Sequence, residues 1–263
     1  MRITFRTFLD GVNLAIAQIK KEPFFYIFSF LIGMVAASVV GFVFSLARQF
    51  LFIIISTYVC NQAVSIGIIF GSQILYYLIL YLFIFPFHIG LFKCIKKSVN
   101  GEKPLVWMLI AEYRNIFSYF IPALLYTVTI TLLMLIVMIP AFALIPLMRG
   151  SGSETAPVTA MLLFFCVLAL LFLLILAVSL YLAPVFALLN YDIAEGRVNP
   201  RRLNEVGGEF KTFSLPMMFL TLLSSLLASI GIIACCIGVL VTAPAGMIIM
   251  WHLCRVFRGD GVR

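Results

Sequence analysis

The chain reads as an all-α, polytopic helical membrane protein of about six transmembrane helices, arranged as three hairpins, each preceded by an amphipathic interfacial elbow helix. Three observations predict this. Of 263 residues, 64% are hydrophobic and 11% charged, whereas soluble domains carry roughly 25% charged residues. Uncharged spans of about 20 residues, the length that crosses a hydrocarbon core, recur along the whole chain. Finally, an amphipathic stretch with charge at its end runs directly into an apolar span three times: TFRTFLDGVNLAIAQIKKEPFFYIFSFLI from Thr4, KPLVWMLIAEYRNIFSYFIPALL from Lys103 and NPRRLNEVGGEFKTFSLPMMFLTLL from Asn199. The expectation is a single integral membrane domain over 1–263, with repeat units of about 1–92, 93–190 and 191–263 and no soluble domain.

The first elbow follows from Phe5, Phe8, Leu9, Val12, Ala15, Ile16 and Ile19, which recur at three and four residues, while Arg6, Asp10, Asn13 and Lys20 take the other face. Lys20 and Lys21 close it, and Pro23 opens the first span, Phe24 to Leu46. With an amphipathic, charged segment ahead of that span, no cleavable signal peptide is expected. Gly33, Ala37 and Gly41 form a stripe of small residues on which another helix can pack closely.

The uncharged run from Gln49 to Phe92 exceeds one crossing, yet two crossings would export Lys93, Lys96, Lys97, Lys103 and Arg114. One crossing, Gly67 to Phe92, is therefore expected. The more polar part around Ser56 to Ser65, within the stretch Gln49 to Ser65, is left as interfacial, re-entrant or an extra span. Lys93 to Arg114 carries the second elbow, Ile116 to Met148 the third span, with an outer end loosened by Pro140 and Pro146, and Val158 to Asn190 the fourth. In the third elbow, Tyr191 to Lys211, Asn199 reads as N-cap and Pro200 as the first helical residue. Ser214 to Ala234 and Val239 to Leu253 complete the last hairpin around a tight turn at 235–238. Under this arrangement only Arg48 and Arg149 of the 18 basic residues face outward, which places both termini in the cytosol.

Net charge is +8, but the cations sit at the ends of apolar spans rather than in one folded patch. That pattern argues for headgroup contact and topology setting, not for nucleic acid. Lys93, Lys96, Lys97, Lys103, Arg197, Arg201, Arg202 and Lys211 are the expected contacts for anionic lipid headgroups at the inner face. Each inward-running helix also carries a proline toward its cytosolic end, Pro86, Pro184 and Pro244. A proline bends a membrane helix and frees a carbonyl, so the three are candidates to frame a cleft; inherited packing kinks are the plainer alternative.

Chemistry is sparse. All ten acidic residues lie outside the expected spans, which lowers the case for ion-coupled transport. His88 and His252 lack accompanying ligands at metal-binding spacing, and no serine-hydrolase elbow or phosphate loop occurs. Six cysteines include no CxxC pair and read as small apolar residues. Mid-span polarity is confined to hydroxyls such as Thr127, Thr129, Thr131, Ser224, Ser225 and Ser229, with Asn61 and Gln62; Ser225 and Ser229 fit a small-residue helix contact. No catalytic residue, cofactor or metal is expected.

The stretches YLAPVFALLNYDIAEGRVNP, EVGGEFKTFSLPMMF and IGIIACCIGVLVTAPAGMIIMWHLCRVFRG resemble the bacterial YciC-like group of multi-pass membrane proteins, over nearly the whole chain as a plan. The resemblance implies six helices in a bacterial cytoplasmic membrane and supplies no catalytic residues; the long uncharged run after the first span departs from it. The expected role is non-enzymatic, through contacts with lipids, a protein partner or a second copy in envelope maintenance. The alternative is a transporter or exporter subunit for a small or lipid-like solute.

Overall fold

The structure is a computed structural model that describes residues 4–58, 62–149, 156–209, 215–233 and 238–260. Among these residues every regular element is helical. Helix α1 spans Phe5–Lys21, α2 Pro23–Tyr58, α3 Gln62–Val99 and α4 Val106–Ala111, which passes into a 3₁₀ segment over Glu112–Tyr119. Then come α5, Phe120–Arg149, α6, Ala156–Ala194, α7, Leu203–Glu209, α8, Leu215–Ile233, and α9, Val239–Phe257. Among the described residues, four stretches are long and apolar enough to cross a membrane: Pro23–Ile55, Gly67–Val99, Val106–Leu133 and Leu240–Phe257. Leu180–Ala194 and Leu215–Ser229 are shorter apolar helices.

Several sequence-based boundaries move. In the described parts of the stretch from Gln49 to Ser65, Gln49 to Tyr58 continues α2, and Gln62 to Ser65 opens α3. A helix without charge or proline over this stretch has nothing to stop it at the expected membrane boundary. Lys93 to Val99 belongs to α3 rather than to the second elbow, which shrinks to α4 and the 3₁₀ segment. Helix α5 continues through Pro140 and Pro146 to Arg149 instead of loosening. The tight turn at 235–238 lies outside the described residues except for Gly238.

Helices adjacent in sequence pair as α2 with α3, α5 with α6 and α8 with α9, and the pairs contact one another in a ring: α3 against α5, α6 against α8, and α9 against α2. The second helices of the pairs, α3, α6 and α9, also touch each other. Their contact is apolar and tightly packed. Phe85 and Ile89 on α3 meet Leu189 and Ile193 on α6, while Phe92, Leu188 and Ile248 join a second buried cluster that includes α9. The amphipathic pieces follow the same rotation, with α1 on α9, α4 and the 3₁₀ segment on α3, and α7 on α6.

Small residues set the approaches. A Cβ placed on Gly33 of α2 would lie 2.5 Å from the Phe87 ring of α3, so the stripe read from the sequence is where these helices meet. A Cβ on Gly90 would meet the Leu109 backbone at 3.0 Å, which seats α4 directly on α3. In the last pair the contact is shifted by one residue from the expected Ser225 and Ser229. Ser224 Oγ donates to the Gly246 carbonyl at 3.0 Å, and a Cβ on Gly246 would lie 3.1 Å from that of Ala228. Ser225 and Ser229 are exposed and donate instead to carbonyls of their own helix.

Candidate polar site at the basic ends of the inner helices

Helices α3, α6 and α9 stop in the same way. Each is followed by a glycine with positive φ, Gly101 at 87°, Gly196 at 74° and Gly259 at 80°. In each case the glycine N–H donates to the carbonyl three residues back, Ser98, Ile193 and Val256. The next N–H, of Glu102, Arg197 or Asp260, donates to the carbonyl five residues back. This paired closure satisfies the last carbonyls of a helix and needs a residue that tolerates the left-handed region. It also throws a charged residue back toward the helix end on each of the three helices.

Two of those returning charges, Arg197 and Asp260, belong to an ion-pair network centred on Asp192 and Arg258. Arg258 donates from Nε to Asp192 Oδ2 at 2.9 Å and from Nη2 to both Asp192 and Glu209. Asp192 is almost fully buried. Arg197 pairs with Asp260, which also accepts a 2.7 Å hydrogen bond from Tyr191 Oη, and Arg197 Nη1 lies 3.7 Å from Asp192 Oδ1. The chain segments after α6 and after α9 are thus clamped to each other and, through Glu209, to α7.

Local pKa shifts follow from this geometry. Hydrogen bonding to Asp260 raises the Arg197 guanidinium, with burial opposing it. Burial pushes the Asp260 carboxyl up, but donation from Tyr191 and Arg197 outweighs it, and the net shift is downward. Glu209 is raised, mainly by burial and further by the neighbouring Asp192 carboxylate, with Arg258 opposing. The exposed Glu205 is lowered by the backbone N–H of Asn199 and by Arg202.

Beside the network lies a cavity of about 540 Å³ at the ends of the three inner helices. Lys96 and Asn100 from α3 and its turn, Tyr191 and Arg197 from α6 and its turn, and Trp251 and Arg255 from α9 line it, with Glu195 and Asp260. Lys96 Nζ is 2.6 Å from Glu195 Oε2. Arg255 differs from its neighbours. Its guanidinium carbon lies over the Trp251 ring, 5.3 Å from the centroid, and its Nε makes a 3.4 Å contact to the Asp260 carbonyl. Among the described residues it has no carboxylate partner.

Of the cations expected at a lipid surface, most are held by partners. Lys93 pairs with Glu112 at 2.6 Å, Lys97 with Glu102 at 3.5 Å and Arg202 with Glu205 at 3.0 Å. Arg201 Nη2 donates to Ser118 Oγ at 2.8 Å, tying the turn before α7 to the 3₁₀ segment. Lys103 is exposed, and Lys211 lies outside the described residues, as does Asn61. Asn199 is not an N-cap: its Oδ1 accepts from the Arg201 N–H at 3.0 Å in a turn, and α7 begins only at Leu203. The side chain competes with the helix for the backbone donor. Of the expected residues that are described, Lys96 and Arg197 alone reach the cavity. Arg255, Trp251 and Tyr191, which sequence spacing did not single out, complete it. The available signal was the repeated glycine after each proline-bearing helix.

Pro86, Pro184 and Pro244 are buried in α3, α6 and α9, on the mutually packed helices. His88 borders two small apolar cavities of about 260 and 200 Å³, in both cases with Phe30 and Phe87. The second also touches Ser224 and Ser225, but both hydroxyls are committed to backbone carbonyls. Among the described residues there is no cluster of three or more potential metal ligands. No protein-family model matches the chain, and neither a curated protein nor a solved structure matches it significantly.

Proposed function

We propose that this protein is a six-span, non-enzymatic protein of the bacterial cytoplasmic membrane that acts through lipid contacts at its cytosolic face, a role compatible with YciC-like membership and with envelope maintenance. The observation that carries the reading is the convergence of three mutually packed inner helices on one polar, cation-lined cavity, with aromatic side chains beside it. The cyclic packing of hairpins and amphipathic segments supports three equivalent units, with α6 and α8 as the remaining spans and α1, α4 and α7 as elbows at the interface. Cations, tyrosine and tryptophan at one level are the combination expected at headgroup depth. The packed apolar contact of α3, α6 and α9 favours a lipid-binding scaffold over a solute path through the centre.

Native mass spectrometry of the protein extracted with its own lipids tests this. The expected result is retention of phospholipid at fixed stoichiometry, reduced when Arg255 is replaced by Gln. Retention of a stoichiometric non-lipid solute would move the reading to transport, and release of all lipid on mild activation would overturn it.

A further inference from the structure

The cavity at the helix ends has an asymmetry that identifies a ligand class. Lys96 is engaged by Glu195, and Arg197 by Asp260 and Asp192. Arg255 enters the same space from α9 with its guanidinium over the Trp251 ring. The contact with the Trp251 face and the Nε contact to the Asp260 carbonyl hold the guanidinium in place and leave its two Nη groups available, the pair suited to two-pronged recognition of an oxyanion. Lys96 of α3 and Asn100, the residue after its end, line the same cavity.

We propose that this cavity binds a phosphate group, with Arg255 as its principal ligand and Lys96 as a second cation. Phosphate matches the fork of the guanidinium in spacing and charge, and a cavity of about 540 Å³ accommodates the group together with a small polar substituent. The group can come from a phospholipid headgroup or from a free phosphate ester. The first source rests on the lipid-contact reading above; the second does not.

The test uses the full chain in phosphate-free detergent. The sequence holds two tryptophans, so Trp107→Phe leaves Trp251, beneath Arg255, as the sole reporter. Its fluorescence is titrated with a short-chain phosphatidylglycerol, with glycerol phosphate, and with a short-chain diacylglycerol that lacks phosphate. The expected result is saturable quenching or shift by phosphatidylglycerol but not diacylglycerol, weakened about tenfold in Arg255→Gln and unchanged in Arg48→Gln, an exposed cation that does not line the cavity. If Arg255→Gln is not monodisperse, Arg255→Lys carries the test, since it keeps the charge and loses the fork, and binding weakens by several-fold. Equal affinity for glycerol phosphate upholds the phosphate site and overturns the lipid as its source. No saturable response to either phosphate probe, or a response equal in wild type and both Arg255 variants, overturns the proposal.

Discussion

Gln18 and Ser98 are joined by a 2.5 Å side-chain hydrogen bond across a sequence separation of 80 residues. Both are buried, Gln18 at 8% and Ser98 at 1% exposure. The bond fixes the end of α1 against the last turn of α3, so the first amphipathic helix is fastened to the bundle rather than only resting at an interface. A buried polar group that loses its partner costs about 1–3 kcal/mol. Gln18→Leu and Ser98→Ala should each lower thermal stability by about that amount, and the double variant should cost less than their sum. Unfolding followed by circular dichroism in detergent checks this, and strict additivity would show that the two groups act independently.

Arg258 should be the most sensitive single charge. Its loss strands Asp192 and Glu209, and breaking a buried pair costs about 3–5 kcal/mol. Arg258→Met should therefore be severely destabilised, whereas Arg258→Met combined with Asp192→Asn should recover part of the loss. The readout is the fraction that stays monodisperse on size exclusion after a temperature series. No recovery in the double variant would mean that Arg258 acts through packing alone.

Two glycines of α3 should behave oppositely. Gly90 faces the α4 backbone at contact distance, whereas a Cβ on Gly67 meets nothing within 4 Å. Gly90→Ala should cost about 1–3 kcal/mol through overpacking. Gly67→Ala should stabilise by about 0.5–1 kcal/mol, because alanine loses less backbone freedom in a helix. Paired melting curves in one detergent distinguish them.

The pH response should have two components of opposite sign. Asp260 is lowered in the fold from 3.8, so its contribution is present above that value and lost as pH falls through the folded one. Glu209 is raised from 4.5, so folding relative to the neutral variant weakens as pH rises from that value through the folded one. Melting temperatures across pH 3 to 7 should therefore show the gap between wild type and Asp260→Asn shrinking toward acid. The advantage of wild type over Glu209→Gln should shrink in the other direction. Parallel trends would contradict the burial of Glu209 beside Asp192.

Features governed by local periodicity were legible from sequence. The three- and four-residue spacing from Phe5 to Ile19 places α1, and the Gly33 stripe locates the approach of α3. What failed depends on competition or on distance. Asn199 followed by Pro200 satisfies the pattern of a helix start, but the asparagine side chain closes a turn with Arg201 and delays the helix to Leu203. Ser225 and Ser229 have the right spacing for a helix contact, as do Ser224 and Ala228, and only packing against Gly246 selects the second pair. The pairing of Arg258 with Asp192 spans 66 residues. No spacing rule reaches that far, so a residue read as a basic flank is instead the counter-ion of a buried carboxylate.

The ring of helices also orders events in time. Helix α9 is the partner of both α1 and α2, and the segment after it supplies the counter-ion for Asp192. During synthesis the early helices must therefore wait, with their inward faces unfilled, until the last one emerges. Contacts between such distant segments form slowly because a long loop must close before they are rewarded. Stalling translation between α8 and α9 would leave an open arc of helices, with Asp192 still lacking its guanidinium, and quality-control proteases would meet the protein in that state.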